Sequence, residues 1–127
     1  MDVSKYRKDF PILNSDDSPV YLDSACMTLR PQAVIDAITD YYTNYPACGG
    51  RSVHKLSWQV TENFEMARDS LRRFMGAEKS SEIVFTKNAT ESMNIVANGL
   101  NLKQGDRVIT SDKEHNANVV PWHHLAK

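Results

Sequence analysis

Small polar residues that could bind an anion stand at the start of a helical pattern in the stretch TKNATESMN, residues 86–94. The first N–H groups of a helix have no intrahelical partner and carry partial positive charge, so they attract anions. Asn88, Ala89 and Thr90 are small enough to leave those groups accessible, and the Thr90 hydroxyl would add a donor. The spacing of Asn88 and Glu91 also matches an ordinary capping box, so the residues alone leave open an anion site or a simple helix start.

A second polar stretch, EHNANVVPWHH, contains His115 and follows the next apolar run. The imidazole could stack on a ligand or transfer protons near neutral pH, and a solvated loop histidine is the alternative. His123 and His124 follow, but no cysteine or carboxylate falls at a ligand spacing such as H-E-x-x-H. The sequence therefore predicts no metal site.

A third candidate is a loop at residues 46–56, where a proline and a Gly-Gly pair interrupt a helical pattern. The loop carries Arg51, Ser52 and His54. Loops supported by a rigid scaffold often carry binding residues, so this segment is a candidate part of a site.

The elements that must position these side chains alternate between helices and strands. Apolar spacing predicts one helix from near Pro31 to Tyr45, a second over residues 60–74 with Gly76 as its stop, and a third ending near Ala97. Strands are predicted at 20–23, 83–86 and 107–111, and the last segment is helical or irregular.

This order of elements is typical of an α/β fold with parallel strands and right-handed crossovers. Ligands of such folds bind beyond the carboxyl ends of the strands, so we expect the two polar stretches to converge on one crevice. We interpret residues 1–19 as an N-terminal arm and residues 20–127 as part of one domain.

Composition excludes several classes of partner. The 127 residues carry a net charge of -1, without the basic excess typical of nucleic-acid or anionic-membrane binding. No window reaches the roughly 18 apolar residues of a membrane span. Cys26 and Cys48 occur without a secretory signal, so we expect free thiols in a soluble, cytoplasmic protein with no nucleic-acid or membrane partner.

Four stretches together resemble a known family: YLDSA, RSVHKLS, FTKNATESMN and EHNANVVPW, at residues 21–25, 51–57, 85–94 and 114–122. In this order they are similar to the N-terminal part of class V aminotransferases, and above all to the sulfur-mobilisation cysteine desulfurases. The resemblance implies the N-terminal part of the large domain of a fold type I pyridoxal-phosphate transferase. That domain is a three-layer αβα structure with mostly parallel strands, and it would be incomplete in this chain.

The resemblance also implies roles for the candidate residues. Ala89 and Thr90 would bind the phosphate of pyridoxal 5'-phosphate, and His115 would stack on its ring and assist proton transfers. Arg51 and His54 are weaker candidates for contact with an amino-acid substrate. The implied reaction converts L-cysteine to L-alanine with sulfur transfer to an enzyme cysteine, in a homodimer that passes sulfur to an acceptor protein for iron–sulfur cluster assembly.

Three departures from the family pattern leave another amino-acid substrate open. The sequence reads KNATE at residues 87–91 where desulfurases usually read Arg-Gly-Thr-Thr-Glu, and Gly50 stands where many have histidine. The segment CMT at residues 26–28 replaces smaller residues of the pattern. A different class V enzyme is the corresponding alternative.

The resemblance further places the Schiff-base lysine, the acidic partner of the pyridine nitrogen and the nucleophilic cysteine downstream of the matched part. We therefore expect a fragment of a longer enzyme that is inactive by itself. A short non-catalytic module for dimerisation or binding, and an unrelated α/β phosphate-binding domain, are the other hypotheses.

Overall fold

A computed structural model describes residues 2–126, so Met1 and Lys127, the outer ends of the expected arm and domain, lie outside the described residues. The regular elements of the described part are helices. They are α1 (Val3–Arg7), α2 (Gln32–Asn44), α3 (Lys55–Met75), α4 (Ala89–Gly99) and α5 (Asn116–Leu125), with short 3₁₀ helices at Pro11–Leu13 and Ser80–Glu82. The chain divides into two compact units, Met1–Phe74 and Met75–Lys127.

In the first unit, α2 begins directly after Pro31, which stands at the N-cap position with extended backbone angles. The predicted start near this proline is confirmed. The helix ends where the Tyr45 N–H donates to the Tyr41 carbonyl at 3.2 Å. The predicted apolar stripe of α2, which includes Val34 and Ile38, lines an open apolar groove of about 770 Å³ that faces α3.

The longest helix is α3, with 21 residues. It begins at Lys55, earlier than the apolar pattern from residue 60 predicts, and the added turn contains Leu56 and Trp58. Gly76 follows its last residue with a φ of 71°, a left-handed conformation that favours glycine. The predicted glycine stop is confirmed.

In the second unit, α4 packs against α5. Ala97 lies in the last turn of α4 with 1% of its surface exposed, and its small side chain permits a close approach. Ile83 and Pro121 are also buried in this unit. The predicted end of α4 near Ala97 is two residues short, and the last segment, left open between helix and irregular structure, is helical.

The prediction of three strands is wrong for the described residues. Segments 20–23, 83–86 and 107–111 are irregular, and none forms a strand within residues 2–126. A strand requires a neighbour that completes its ladder of backbone hydrogen bonds, and apolar β-branched residues indicate only that a segment is suited to one. Leu22 and Ile109 accordingly remain 89% and 96% exposed.

The described residues contain no helix that is both long enough and apolar enough to cross a bilayer. Cys26 and Cys48 are exposed free thiols.

Candidate functional site

The candidate anion site lies at the N-terminus of α4. Asn88 is the N-cap residue, and its Oδ1 atom accepts a hydrogen bond from the Glu91 N–H at 2.9 Å. The Glu91 carboxylate accepts from the Lys87 N–H at 2.6 Å. The predicted bond from the Glu91 N–H to the Asn88 side chain is thus confirmed. In a standard capping box the Glu91 carboxylate would accept from the Asn88 N–H, but here it accepts from the N–H of the preceding residue, Lys87.

Three donors at this helix end remain free to meet a ligand. The N–H groups of Ala89 and Thr90 make no hydrogen bond to any residue between 2 and 126, and neither does the Thr90 hydroxyl. We call these three donors the amide cup. They stand at the positive end of an 11-residue helix, where a phosphate or carboxylate is stabilised by both hydrogen bonds and the helix dipole.

Polar side chains brace the turn that leads into the cup. The hydroxyl oxygens of Thr86 and Ser92 lie 2.6 Å apart, and each is 3.3 Å from the Asn88 carbonyl oxygen. Ser92 lies on α4, one turn beyond Asn88, so it links the irregular segment before the helix to the helix itself. The backbone that carries the cup is therefore held from both sides.

His115 occupies the corresponding position on the next helix. It is the N-cap residue of α5, and its Nδ1 atom accepts a hydrogen bond from the Ala117 N–H at 3.1 Å. Because Nδ1 accepts this bond, Nε2 is the ring nitrogen that carries the N–H donor. Nε2 is free of any hydrogen bond within the described part of the chain, so it can meet a ligand or a solvent molecule.

A chain of side-chain hydrogen bonds fixes the first turns of α5. The Glu114 carboxylate accepts from the Ser111 hydroxyl at 3.2 Å and from the Asn118 side-chain amide at 3.0 Å. The Asn118 side chain in turn accepts from the Trp122 indole N–H at 3.2 Å. Glu114, Asn118 and Trp122 belong to the motif EHNANVVPW but were not predicted to bond to one another, although their i, i+4 spacing could have indicated this network.

The loop candidates of the first unit also meet a helix N-terminus. His54 precedes α3, and its Nδ1 atom accepts from the Ser57 N–H at 3.3 Å. Arg51 is exposed, and its guanidinium makes no hydrogen bond or ion pair with the part of the chain that the structure describes. Ser57, which the sequence analysis did not single out, is fully buried beneath the loop.

Among the candidate site residues, Ala89, Thr90 and His115 belong to the second unit, on two helices that contact each other. Arg51 and His54 belong to the first unit. Within the described residues no cluster of three or more His, Cys, Asp or Glu side chains could hold a metal ion, and His123 and His124 lie in the last turn of α5.

Comparison with known proteins identifies the class of protein to which this arrangement belongs. The family described as Aminotransferase class-V matches residues 20–127. The chain belongs to the class V aminotransferase family, and the resemblance seen in the four sequence stretches is confirmed.

Relatives within the family carry a more specific name. The chain is 39% identical to a "Probable cysteine desulfurase" from Staphylococcus aureus (strain Mu50 / ATCC 700699), over 99% of this chain and 32% of the relative. It is 41% identical to a protein of the same name from Vibrio cholerae serotype O1, over 100% of this chain and 33% of the relative. The chain thus spans about one third of the length of these relatives and matches their N-terminal part.

A solved structure resembles the backbone as well. The apo structure of a cysteine desulfurase from Thermococcus onnurineus NA1 aligns with a TM-score of 0.86 at 40% identity, covering 97% of this chain and 30% of that chain. The backbone is therefore similar to the corresponding part of that cysteine desulfurase, whereas the expected three-layer αβα architecture is not shown by the helices of the described residues.

Proposed function

We propose that this chain is the phosphate-binding N-terminal part of a pyridoxal-phosphate-dependent cysteine desulfurase. The observation that carries the proposal is the amide cup. Two backbone N–H groups and the Thr90 hydroxyl stand free at the N-terminus of α4, at the positions for which the family resemblance implies a phosphate contact. The sequence similarity to proteins named cysteine desulfurase supports the reaction class.

The donors present fit a cofactor phosphate. A phosphate ester at neutral pH offers several acceptor oxygens and negative charge, and the cup offers two N–H donors and one O–H donor to them. The Glu91 carboxylate on this turn accepts a hydrogen bond from the Lys87 N–H at 2.6 Å, so one of its oxygens already has a partner within the protein.

His115 would orient the ring of the cofactor. Its Nδ1 atom is fixed by the Ala117 N–H, so the imidazole has one preferred orientation and one exposed donor at Nε2. In the proposed role, the flat ring stacks on the pyridine and Nε2 holds or returns a proton beside the substrate. When bound, pyridoxal phosphate supplies an electron sink for carbanion chemistry at the substrate.

The wider arrangement proposed for the enzyme follows from the family. We propose a fold type I large domain, a three-layer αβα structure with mostly parallel strands in which segments 83–86 and 107–111 become strands once neighbours pair with them. L-cysteine would be the substrate, L-alanine the product, and an enzyme cysteine the first sulfur acceptor. We further propose that the enzyme is a cytoplasmic homodimer and that it delivers sulfur to an acceptor protein for iron–sulfur cluster assembly.

The same reasoning predicts that residues 1–127 do not catalyse the reaction alone. The family resemblance places the Schiff-base lysine in the part of the relatives that this chain does not match, and the chain spans about a third of their length. Arg51 and His54 remain proposed substrate contacts, since the 46–56 loop carries them at the surface.

A chimera tests the proposal. We would replace the matched N-terminal third of the Vibrio cholerae relative with this chain and assay alanine and sulfide release from L-cysteine, with a dithiol present to reduce the enzyme persulfide to sulfide. The unaltered relative and the 127-residue chain are assayed beside it. We expect the chimera and the relative to release both products and the chain alone to release neither. Release by the chain alone would contradict the inactive-part proposal, and a folded chimera that uses a different amino acid would contradict the cysteine assignment.

A second class V reaction has one observation in its favour. Asn88 stands where the desulfurase pattern has glycine, and it uses its side chain as the helix cap. The test is the chimera assay with a panel of amino acids, run also on the Gly50→His and Asn88→Gly variants. If the substrate is another amino acid, the chimera should be more active with that amino acid than with L-cysteine.

A further inference from the structure

Ser57 is a buried polar residue in the first turn of α3, with none of its surface exposed. Its hydroxyl oxygen lies 2.6 Å from the Cys48 carbonyl oxygen and 2.9 Å from the Ser52 carbonyl oxygen. A serine hydroxyl has one proton to donate, so the two carbonyls share it. The side chain thus joins two points of the preceding loop to the start of the helix.

Further bonds from the same side of α3 reach that loop. The Thr61 hydroxyl donates to the Ser57 carbonyl and accepts from the Gly50 N–H, both at 2.8 Å. The Ser57 N–H donates to the His54 ring at 3.3 Å. The side chains of Ser57 and Thr61, one helical turn apart, therefore hold Cys48, Gly50 and Ser52, and the Ser57 backbone N–H holds the His54 ring.

We infer that Ser57 is a positioning residue that fixes the 48–54 loop, and with it the backbone that carries Arg51, relative to α3. Arg51 lies between two positions that Ser57 holds, and its guanidinium is free within residues 2–126. Burial of a hydroxyl without a hydrogen bond raises the free energy of the folded state. The carbonyls of Cys48 and Ser52 supply the hydrogen-bond partners that offset this cost for Ser57. That the held loop meets the substrate rests on the proposed function.

Amide hydrogen exchange on the 127-residue chain tests the positioning directly. Ser57→Ala leaves both carbonyls without their buried donor, and we expect the Gly50 and Ser57 amides to exchange about tenfold faster. The Ala67 amide, deeper in α3, should keep its rate. Ser70→Ala, an exposed serine on the same helix, is the matched control and should leave the loop amides unchanged.

Thr61 supplies an independent variant in case Ser57→Ala does not fold. Thr61→Ala removes the acceptor of the Gly50 N–H and should speed the exchange of that amide about tenfold. Thr61→Ser keeps the hydroxyl and should restore slow exchange. If the loop amides of Ser57→Ala and Thr61→Ala exchange at the rates of the unaltered chain, the positioning role is wrong. It is also wrong if the Gly50 amide exchanges as fast in Thr61→Ser as in Thr61→Ala.

Kinetics of the chimera described above separate positioning from mere stability. If the held loop meets the substrate, Ser57→Ala should raise KM for L-cysteine about tenfold with kcat nearly unchanged, while Ser70→Ala leaves both unchanged. Faster loop exchange with an unaltered KM would overturn the link to substrate. An inactive wild-type chimera would count against the proposed function, whereas the exchange experiment on the chain would still decide the role of Ser57.

Discussion

The Nδ1 atom of His115 accepts a hydrogen bond from the backbone N–H of Ala117 at 3.1 Å, so the side chain of this histidine caps the N-terminus of α5. His54 stands in the same relation to the Ser57 N–H at 3.3 Å. Both histidines were predicted as site residues, and both are fixed by the helix that follows them. A ring held in this way keeps one nitrogen for the protein and presents the other outward.

The two roles of His115 can be separated by substitution. His115→Asn keeps a side chain that can cap α5, whereas His115→Ala removes the cap and should cost about 1 kcal/mol of stability. Both remove the imidazole, so both should lower the activity of the chimera, by at least about tenfold if the ring transfers protons. Thermal unfolding and sulfide release measure the two effects. Equal activity of His115→Asn and the unaltered chimera would refute the ring contact.

Thr90→Ala should weaken binding of a phosphate ester. The substitution removes one of the three donors of the amide cup, and a hydrogen bond to a charged group contributes about 1.5–3 kcal/mol, so we expect roughly a tenfold or larger rise in Kd. Titration with pyridoxine 5'-phosphate, which lacks the reactive aldehyde, measures it. Thr43→Ala on α2 is the matched control and should leave Kd unchanged. An unchanged Kd for Thr90→Ala would remove the hydroxyl from the site.

Asn88→Ala should destabilise α4. The substitution leaves the Glu91 N–H without its cap, at an expected cost of about 1 kcal/mol. Asn88→Asp keeps a capping oxygen and should retain stability, although its charge would oppose an incoming phosphate. Urea unfolding measures the first effect and phosphate-ester titration the second. If Asn88→Asp bound the ester as tightly as the unaltered chain, the cup would not be the phosphate site.

The N-terminal helix should lose its cap in acid. The Ser4 hydroxyl, and then the Ser4 N–H, donate to the Asp2 carboxylate and lower its pKa from the ordinary 3.8. A lowered pKa means that the capping contribution is fully present above pH 3.8 and is lost as the pH falls through the lowered value. The Ser4 amide shift, followed by NMR, should titrate below pH 3.8, and Asp2→Asn should abolish the titration.

The helices could be predicted from sequence because their signals are local. The apolar spacing of α2 and α3, the proline before α2 and Gly76 after α3 all act within a few residues. The cup was predictable for the same reason, since Asn88, Thr90 and Glu91 lie within one turn. Of the two alternatives that the sequence left open, the structure shows the cap, because the Asn88 side chain accepts from the Glu91 N–H. The anion site at Ala89 and Thr90 stays a prediction.

The strands and the loop anchor could not be predicted in the same way. Whether Leu22 or Ile109 enters a sheet depends on a neighbouring segment that the local pattern does not specify. Ser57 looks like an ordinary polar position of a helix, and its importance comes from carbonyls nine and five residues earlier in the chain. Contacts of that kind become visible only when the backbone path is known.

The most direct test of the central claim is an NMR titration of the isotope-labelled chain with pyridoxine 5'-phosphate and, separately, with pyridoxine. If the amide cup binds the cofactor phosphate, the amide signals of Ala89 and Thr90 and the ring signals of His115 should shift in a saturable way with the phosphate ester alone. The same shifts with pyridoxine, or no shifts at Ala89 and Thr90 with the ester, would contradict a phosphate site at the N-terminus of α4.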